Sequence, residues 1–144
     1  MAEPAHYRAW VRPEWIDYNG HLSEPYYVLV FGDATTALMD LTGLGADYRA
    51  ATGASLYTVE AHVRYLHEVG PGAQLDVTTS VLSVGARKVR LCHEMRVGGD
   101  VVATEELLCM HVAEGRASPF PHDVAERLRQ YLSSVPDYAG RAIA

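Results

Sequence analysis

An α+β architecture, an antiparallel sheet curled around one long apolar helix, is what this sequence of 144 residues predicts. Three observations carry it. Tyr27, Val30, Phe31, Ala34, Leu38 and Leu41 recur at three- and four-residue spacing, which makes one helical stripe. Four strand-like segments, period-two or rich in Val and Thr, follow that stripe in succession. The connections between them are short, and several carry Gly or Pro, so the sheet folds back onto the helix with antiparallel pairing.

Taken in order, Tyr7 to Val11 alternates with polar residues and predicts a first strand, ended by Pro13. The segment Glu14-Trp15-Ile16-Asp17-Tyr18-Asn19-Gly20-His21-Leu22 reads as a loop. Ser23 is the predicted N-cap of the helix, and Pro25 is tolerated in the first turn, where its missing N–H costs nothing. Gly43 and Gly45 end the helix, giving about 19 residues and roughly 28 Å. Its other face, with Val28, Leu29 and Ala37, is also small or apolar, which predicts burial on most sides.

Ser55 to Leu66 alternates strictly, with Tyr57, Val59, Ala61, Val63 and Tyr65 on one face and Thr58, Glu60, His62 and Arg64 on the other. Gly70-Pro71-Gly72 is a turn. Gln74 to Val84 and Arg87 to Val97 are the next strands, the latter with Val89, Leu91, Met95 and Val97 opposite Arg90, Glu94 and Arg96. Gly98-Gly99-Asp100 makes a hairpin turn into Val101 to Val112, whose second half is apolar on both faces. A central strand, or one covered by a second subunit, has that pattern. Asp123 to Leu132 is a short amphipathic helix, and the Ala- and Gly-containing tail beyond Pro136 is expected to be loose. The whole stretch 1–144 is read as one domain. A free sheet edge and the two-sided apolar strand predict a homodimer or a dimer of dimers.

Composition narrows the function. The chain is 49% hydrophobic with 21% charged residues, which fits a globular domain with its own core. A formal net charge of -6 and no basic face give no footprint for nucleic acid. Cys92 and Cys109 both lie in apolar strand-like runs, as reduced core thiols do. No paired Cys or His spacing suggests a metal site, and none is expected. His93 and His111 lie on strands and read as satisfied core histidines. No basic-then-apolar leader opens the sequence and no apolar run approaches a membrane span, so no membrane association and a cytoplasmic location are expected.

The chemistry is concentrated in the loop. Asp17, Asn19 and His21 fall within five residues, with Gly20 allowing a tight turn, at a strand-to-helix junction. A carboxylate, an amide and an imidazole thus reach the positive end of a long helix, which can hold an oxyanion or polarise an acyl carbonyl. Backbone N–H groups near Ser23 and Glu24 are the candidate oxyanion donors.

These residues resemble a known family. Asp17-x-x-Gly20-His21, followed by a helix with Tyr26 and Tyr27 in its first turns, resembles the 4-hydroxybenzoyl-CoA thioesterase-like acyl-CoA thioesterases of the hot-dog fold. The likeness runs from about Tyr7 to Phe120. The loop is similar to the signature of the betainyl-CoA thioesterases, found alone or fused to L-carnitine dehydrogenase. So are Val59-Glu60-Ala61-His62-Val63-Arg64-Tyr65-Leu66, His93-Glu94-Met95, Ala103-Thr104-Glu105-Glu106 and His111-Val112. Ser23 departs from the Asn of that branch.

The resemblance implies hydrolysis of a small acyl-CoA, with no cofactor beyond the coenzyme A of the substrate. It makes Asp17 the catalytic carboxylate, as nucleophile or as general base, with Asn19 and His21 orienting water, carbonyl or proton. Gly20, Ser23 and Glu24 would contact the substrate, as would Glu60, His62 and Arg64, with Glu60 or His62 facing the loop of a partner subunit. Arg64 would hold Asp17 or pair with Glu60. Arg87, Lys88 and Arg90 form a basic cluster suited to coenzyme A phosphates. A quaternary ammonium is bound well by aromatic faces. Trp15, Tyr18, Tyr26, Tyr27, Tyr57 and Tyr65 are the cage candidates. Two other readings stand beside this one. Hot-dog hydratases also place Asp and His before the central helix, with a spacing one residue longer than here, and a non-catalytic acyl-CoA-binding module would leave the thioester intact.

Overall fold

The computed structural model describes residues 3–143. Strand β1 (Ala5–Trp10) leads through a short 3-10 turn at Pro13–Trp15 and the Asp17 loop into α1 (Glu24–Thr42). Then come α2 (Ala46–Thr52), β2 (Ser55–Tyr65), β3 (Gln74–Val84), β4 (Lys88–Val97), β5 (Asp100–Ala113), the two-residue β6 (Arg116–Ala117) and α3 (His122–Arg129). The long helix has the predicted 19 residues. Gly43, at φ 83, supplies the left-handed cap that stops it, a conformation costly for any other residue. Helix α2 was not anticipated: its sequence ADYRAAT has no apolar stripe and it buries no residue.

The sheet runs β1-β3-β4-β5-β2, antiparallel throughout, with β6 on β5. The four strands after the helix are therefore not a simple meander. β2 pairs with β5, not β3, and the stretch through Gly70-Pro71-Gly72 carries the chain from one edge region to the other. Gly98 and Gly99 do join β4 to β5 as a tight hairpin.

The helix packs on the concave face. Val30, Phe31 and Ala34 meet Leu75, Val77, Met95 and Ala103 in one cluster. Leu38 meets Val81, Val89, Leu91 and Leu107 in a second, which Val124 and Leu128 of α3 close at one end. Full burial of each such side chain contributes roughly 1.5–3 kcal/mol. The helix is not buried on most sides, however. Val28, Leu29 and Leu41 stay exposed within the chain, because the sheet covers only one flank.

Strand β2 corrects a further expectation. The ladder with β5 slips between Thr58 and Glu60, leaving Val59 as a bulge. Leu56 and Thr58 point inward before it, with Thr58 Oγ1 against buried Cys109 Sγ at 3.7 Å. After it the inward set is Ala61, Val63 and Tyr65. Tyr57 is thus on the opposite face from Val63, which uniform alternation cannot show. The tail is also better anchored than its composition suggests. The Tyr138 hydroxyl donates to Glu94 Oε2 at 2.6 Å, and Gly140 N–H donates to Glu106 Oε1 at 2.8 Å. Among the described residues no single helix is long and apolar enough to cross a membrane.

Candidate active site

The loop before α1 is closed by its own backbone. Ile16 and Leu22 form an antiparallel bridge, Asp17 N–H donates to the His21 carbonyl at 3.0 Å, and Gly20 N–H donates to the Asp17 carbonyl at 2.9 Å. Gly20 makes the turn at φ 80. The Asn19 N–H donates to Asp17 Oδ1 at 2.9 Å, so the carboxylate is oriented by the loop itself. Asn19 thus contributes its backbone, while its side chain is exposed on the surface. His21 Nε2 lies 3.2 Å from Glu68 Oε2, a partner with no signal in the sequence.

The loop is fastened to the rest of the fold by two further backbone bonds. Leu22 N–H donates to the Val69 carbonyl at 2.8 Å, and Ser23 N–H donates to the Trp15 carbonyl at 2.9 Å. The second bond removes Ser23 from the candidate oxyanion donors. Ser23 does occupy the N-cap position but makes no side-chain cap. Pro25 has no N–H, and that of Tyr26 goes to the Ser23 carbonyl. Glu24 N–H is left unpaired at the positive end of α1 among the described residues.

That helix end opens into a cleft of about 470 Å³ lined by Leu22, Glu24, Tyr27, Tyr65, Leu66, His67 and Glu68. Tyr27 and Tyr65 meet edge to face with centroids 5.1 Å apart, and the Tyr27 hydroxyl reaches the His67 carbonyl at 3.4 Å. Burial pushes the Tyr27 phenol up, with Tyr65 and the charges of Glu68 and Asp17 adding to it. Burial and then the charges of Glu24 and Glu105 push Tyr65 up in the same way. The walls are therefore aromatic and acidic, and neither Lys nor Arg lines them.

Other predicted residues lie elsewhere. Trp15 is buried, stacked on Tyr26 at 5.4 Å with the Arg12 guanidinium 5.7 Å from its ring centre, so its ring is already engaged within the chain. Tyr18 is 98% exposed and encloses nothing within the chain. Glu60 and His62 lie after the bulge on the outer face of the sheet. They line a separate hollow of about 740 Å³ together with Arg90, Glu106 and the tail. Arg64 neither holds Asp17 nor pairs with Glu60: its Nε donates to Thr104 Oγ1 at 3.1 Å and its guanidinium sits 3.9 Å over Tyr138. Arg90 is bonded to Glu106 at 2.7 Å, which splits the basic cluster and leaves Arg87 and Lys88 exposed. Lys88 is in register with Met110 and so with Tyr57, at the far end of β2 from Tyr65. At about 3.3 Å per residue that is roughly 26 Å from the cleft.

The two strand histidines are core residues, as expected. His111 Nδ1 lies 2.8 Å from the Ser118 carbonyl and its Nε2 2.8 Å from the Tyr48 hydroxyl. His93 is held by Thr79 and Thr35. Cys92 and Cys109 are buried free thiols. Glu105 is a buried carboxylate not singled out from the sequence. Its signal was present: it occupies the inward register of Ala103, Leu107 and Cys109, a carboxylate on an apolar face.

Comparison with known proteins places this geometry. The family model described as "Thioesterase-like superfamily" matches residues 11–128. Betainyl-CoA thioesterase of Pseudomonas aeruginosa is 38% identical over 146 aligned residues, covering 95% of this chain and 92% of that protein. The L-carnitine dehydrogenase/betainyl-CoA thioesterase of Agrobacterium fabrum is 42% identical over 95% of this chain, which spans 30% of that longer protein. Among solved structures, a candidate thioesterase of Pseudomonas putida KT2440 superposes with a TM-score of 0.86 at 37% identity, covering 98% and 96% of the two chains. A Staphylococcus aureus protein solved in complex with CoA superposes with a TM-score of 0.92, covering 100% and 96%, and at 22% identity shows the shared fold.

The curled sheet around α1 is the hot-dog fold, and its enzyme class here is thioester hydrolase, as the sequence predicted. The chain belongs to the thioesterase-like superfamily.

Proposed function

We propose that this enzyme hydrolyses the thioester of a small acyl-CoA bearing a quaternary ammonium, betainyl-CoA, to the free acid and coenzyme A. The observation that carries the acyl group is the cleft: two tyrosine rings at right angles, with Glu24 and Glu68 in its walls. Aromatic faces and carboxylates stabilise a desolvated ammonium and give a neutral acyl group no comparable gain. The name of the Pseudomonas aeruginosa relative agrees with this chemistry.

In this reading Asp17 supplies the carboxylate that attacks the carbonyl carbon or takes the proton of an attacking water. The oxyanion is met by Glu24 N–H, and collapse breaks the C–S bond and releases the thiol. Hydrolysis in labelled water under single-turnover conditions separates the two routes, since label enters Asp17 only through an anhydride. The test of the function is thiol release from betainyl-, acetyl-, medium-chain and benzoyl-CoA. Preference for betainyl-CoA supports the proposal, release from neutral substrates alone removes the cationic acyl group, and no release removes the hydrolase.

Tyr65→Ala is expected to lower kcat/KM for betainyl-CoA roughly tenfold more than for a neutral substrate of equal size, the contribution of one desolvated aromatic face. Equal losses on both would show that Tyr65 only fills space.

The working unit we infer is a dimer paired along β2. That strand is a long sheet edge with Tyr57, Val59 and Tyr65 exposed. Antiparallel pairing of two such edges carries the Arg87–Lys88 end of one copy towards the cleft of the other, where coenzyme A phosphates would lie. Tyr57→Lys with Val59→Lys is expected to halve the mass in light scattering and to abolish turnover. An unchanged mass would move the interface elsewhere.

A further inference from the structure

One charged side chain near the cleft has no role in the chemistry above. Glu105, on β5, is 3% exposed. It is in register with His93 of β4 on one side and Val63 of β2 on the other, on the concave face of the sheet. Among the described residues every side-chain nitrogen or oxygen fully shut off from solvent has a hydrogen-bond partner. Glu105 has none, and burial alone governs its carboxyl. Its carboxyl therefore keeps an opening.

The helix and β2 define where that opening lies. Asp33 of α1 reaches the Tyr7 hydroxyl at 3.5 Å, so that flank of the helix faces β1. The opposite flank, Glu24, Val28 and Gly32 at four-residue spacing, is exposed. On β2, Ala61 and Tyr65 are exposed and Val63 is half-buried. Glu105 lies beneath Val63 and close enough to Tyr65 of the cleft for its charge to help raise that phenol.

We propose that Glu105 is the counter-charge for the ammonium of the substrate's acyl group, reached beside Tyr65 from the cleft at the start of α1. The inference rests on the cationic acyl group proposed above. The titratable groups beside this carboxyl are His93 in register on β4, Cys109 along β5 and Tyr65 on β2, with Glu24 of α1 acting on the same Tyr65. None brings a positive charge: burial pushes His93 down to about 3, so it is neutral at physiological pH. A buried carboxylate without a partner is strongly disfavoured, and a bound ammonium removes that penalty. Burial raises Glu105 to about 7 in the empty enzyme. The carboxyl is therefore ionised above that pH, where it attracts the cation, and protonated below it.

The experiment compares betainyl-CoA with tert-butylacetyl-CoA, which replaces the ammonium nitrogen by carbon at the same size. In Glu105→Gln, kcat/KM for betainyl-CoA should fall roughly 10- to 100-fold more than for tert-butylacetyl-CoA. Inhibition by tetramethylammonium should weaken in parallel, and Glu105→Asp should keep part of the preference. In the wild type, KM for betainyl-CoA should rise as pH falls through about 7, with no such rise for the neutral substrate. That profile tests the proposal without any variant. A wild-type preference for the cation that survives in Glu105→Gln overturns the role of Glu105 alone. A wild type with no such preference overturns the cationic acyl group, and Glu105's role with it.

Discussion

Asp17→Asn is expected to lower kcat by roughly 10²- to 10⁴-fold, the range associated with a positioned acid–base group, and more if Asp17 is the nucleophile. The substitution is chosen for what it preserves. Asn keeps an acceptor oxygen for the Asn19 N–H, and the backbone bonds from Asp17 to His21 and from Gly20 to Asp17 do not involve the side chain. The loop and the start of α1 should therefore stay in place, with Tm and mass unchanged. KM should change little, because the carboxylate acts on the reacting atoms rather than on the coenzyme A arm. A variant retaining near-wild-type kcat would remove Asp17 from the reaction and move attention to Glu24 and Glu68 in the cleft walls.

The second large effect is on stability. His93 joins three elements: its Nδ1 lies 2.7 Å from Thr79 Oγ1 on β3, its Nε2 lies 2.8 Å from Thr35 Oγ1 on α1, and its ring stacks on Phe31 at 5.6 Å. Thr35 spends its own proton on the Phe31 carbonyl at 3.1 Å. The network therefore assigns the proton of His93 to Nε2, with Thr79 donating to Nδ1. His93→Ala removes a buried ring and leaves two buried hydroxyls without this partner, at a cost of roughly 3–5 kcal/mol. Thermal unfolding at neutral pH should drop by about 10 °C or more. The pH dependence follows from the burial that holds His93 down to about 3. Between the unfolded value near 6.5 and about 3 the unfolded chain binds the extra proton, so the His93 contribution fades as pH falls through that window. The gap between wild type and variant should then narrow on acidification. A gap independent of pH would mean that His93 acts only through its volume.

The sequence determined those features whose physical cause is local. The α1 boundaries followed from the apolar stripe and from Gly43, the only kind of residue at ease in the left-handed cap. Cys109, His93 and His111 declared themselves core residues by sitting in apolar strand register, whereas Cys92 shares the face of Arg90 and Glu94 and lies against Tyr138 of the tail, Sγ 3.2 Å from its hydroxyl. The Asp17 loop was visible because its polar residues and Gly20 are contiguous and its hydrogen bonds close on themselves.

The tertiary structure decided everything that depends on which distant segments meet. The order β1-β3-β4-β5-β2 separates β2 from the strand that follows it, a choice that local patterning cannot register. One bulged residue, Val59, turned Tyr57 away from the Ala61, Val63 and Tyr65 face, because a period of two has no memory across an insertion. The backbone carbonyl of Trp15 took the Ser23 donor and left Glu24's. Glu106 took Arg90, and Tyr138 with Thr104 took Arg64, since charges and donors are committed by whatever reaches them through space. The acidic, aromatic character of the cleft arose in the same way. Glu24 and Tyr27 come from α1, and Tyr65 and Glu68 from the end of β2 and beyond, brought together only when the sheet curls around the helix.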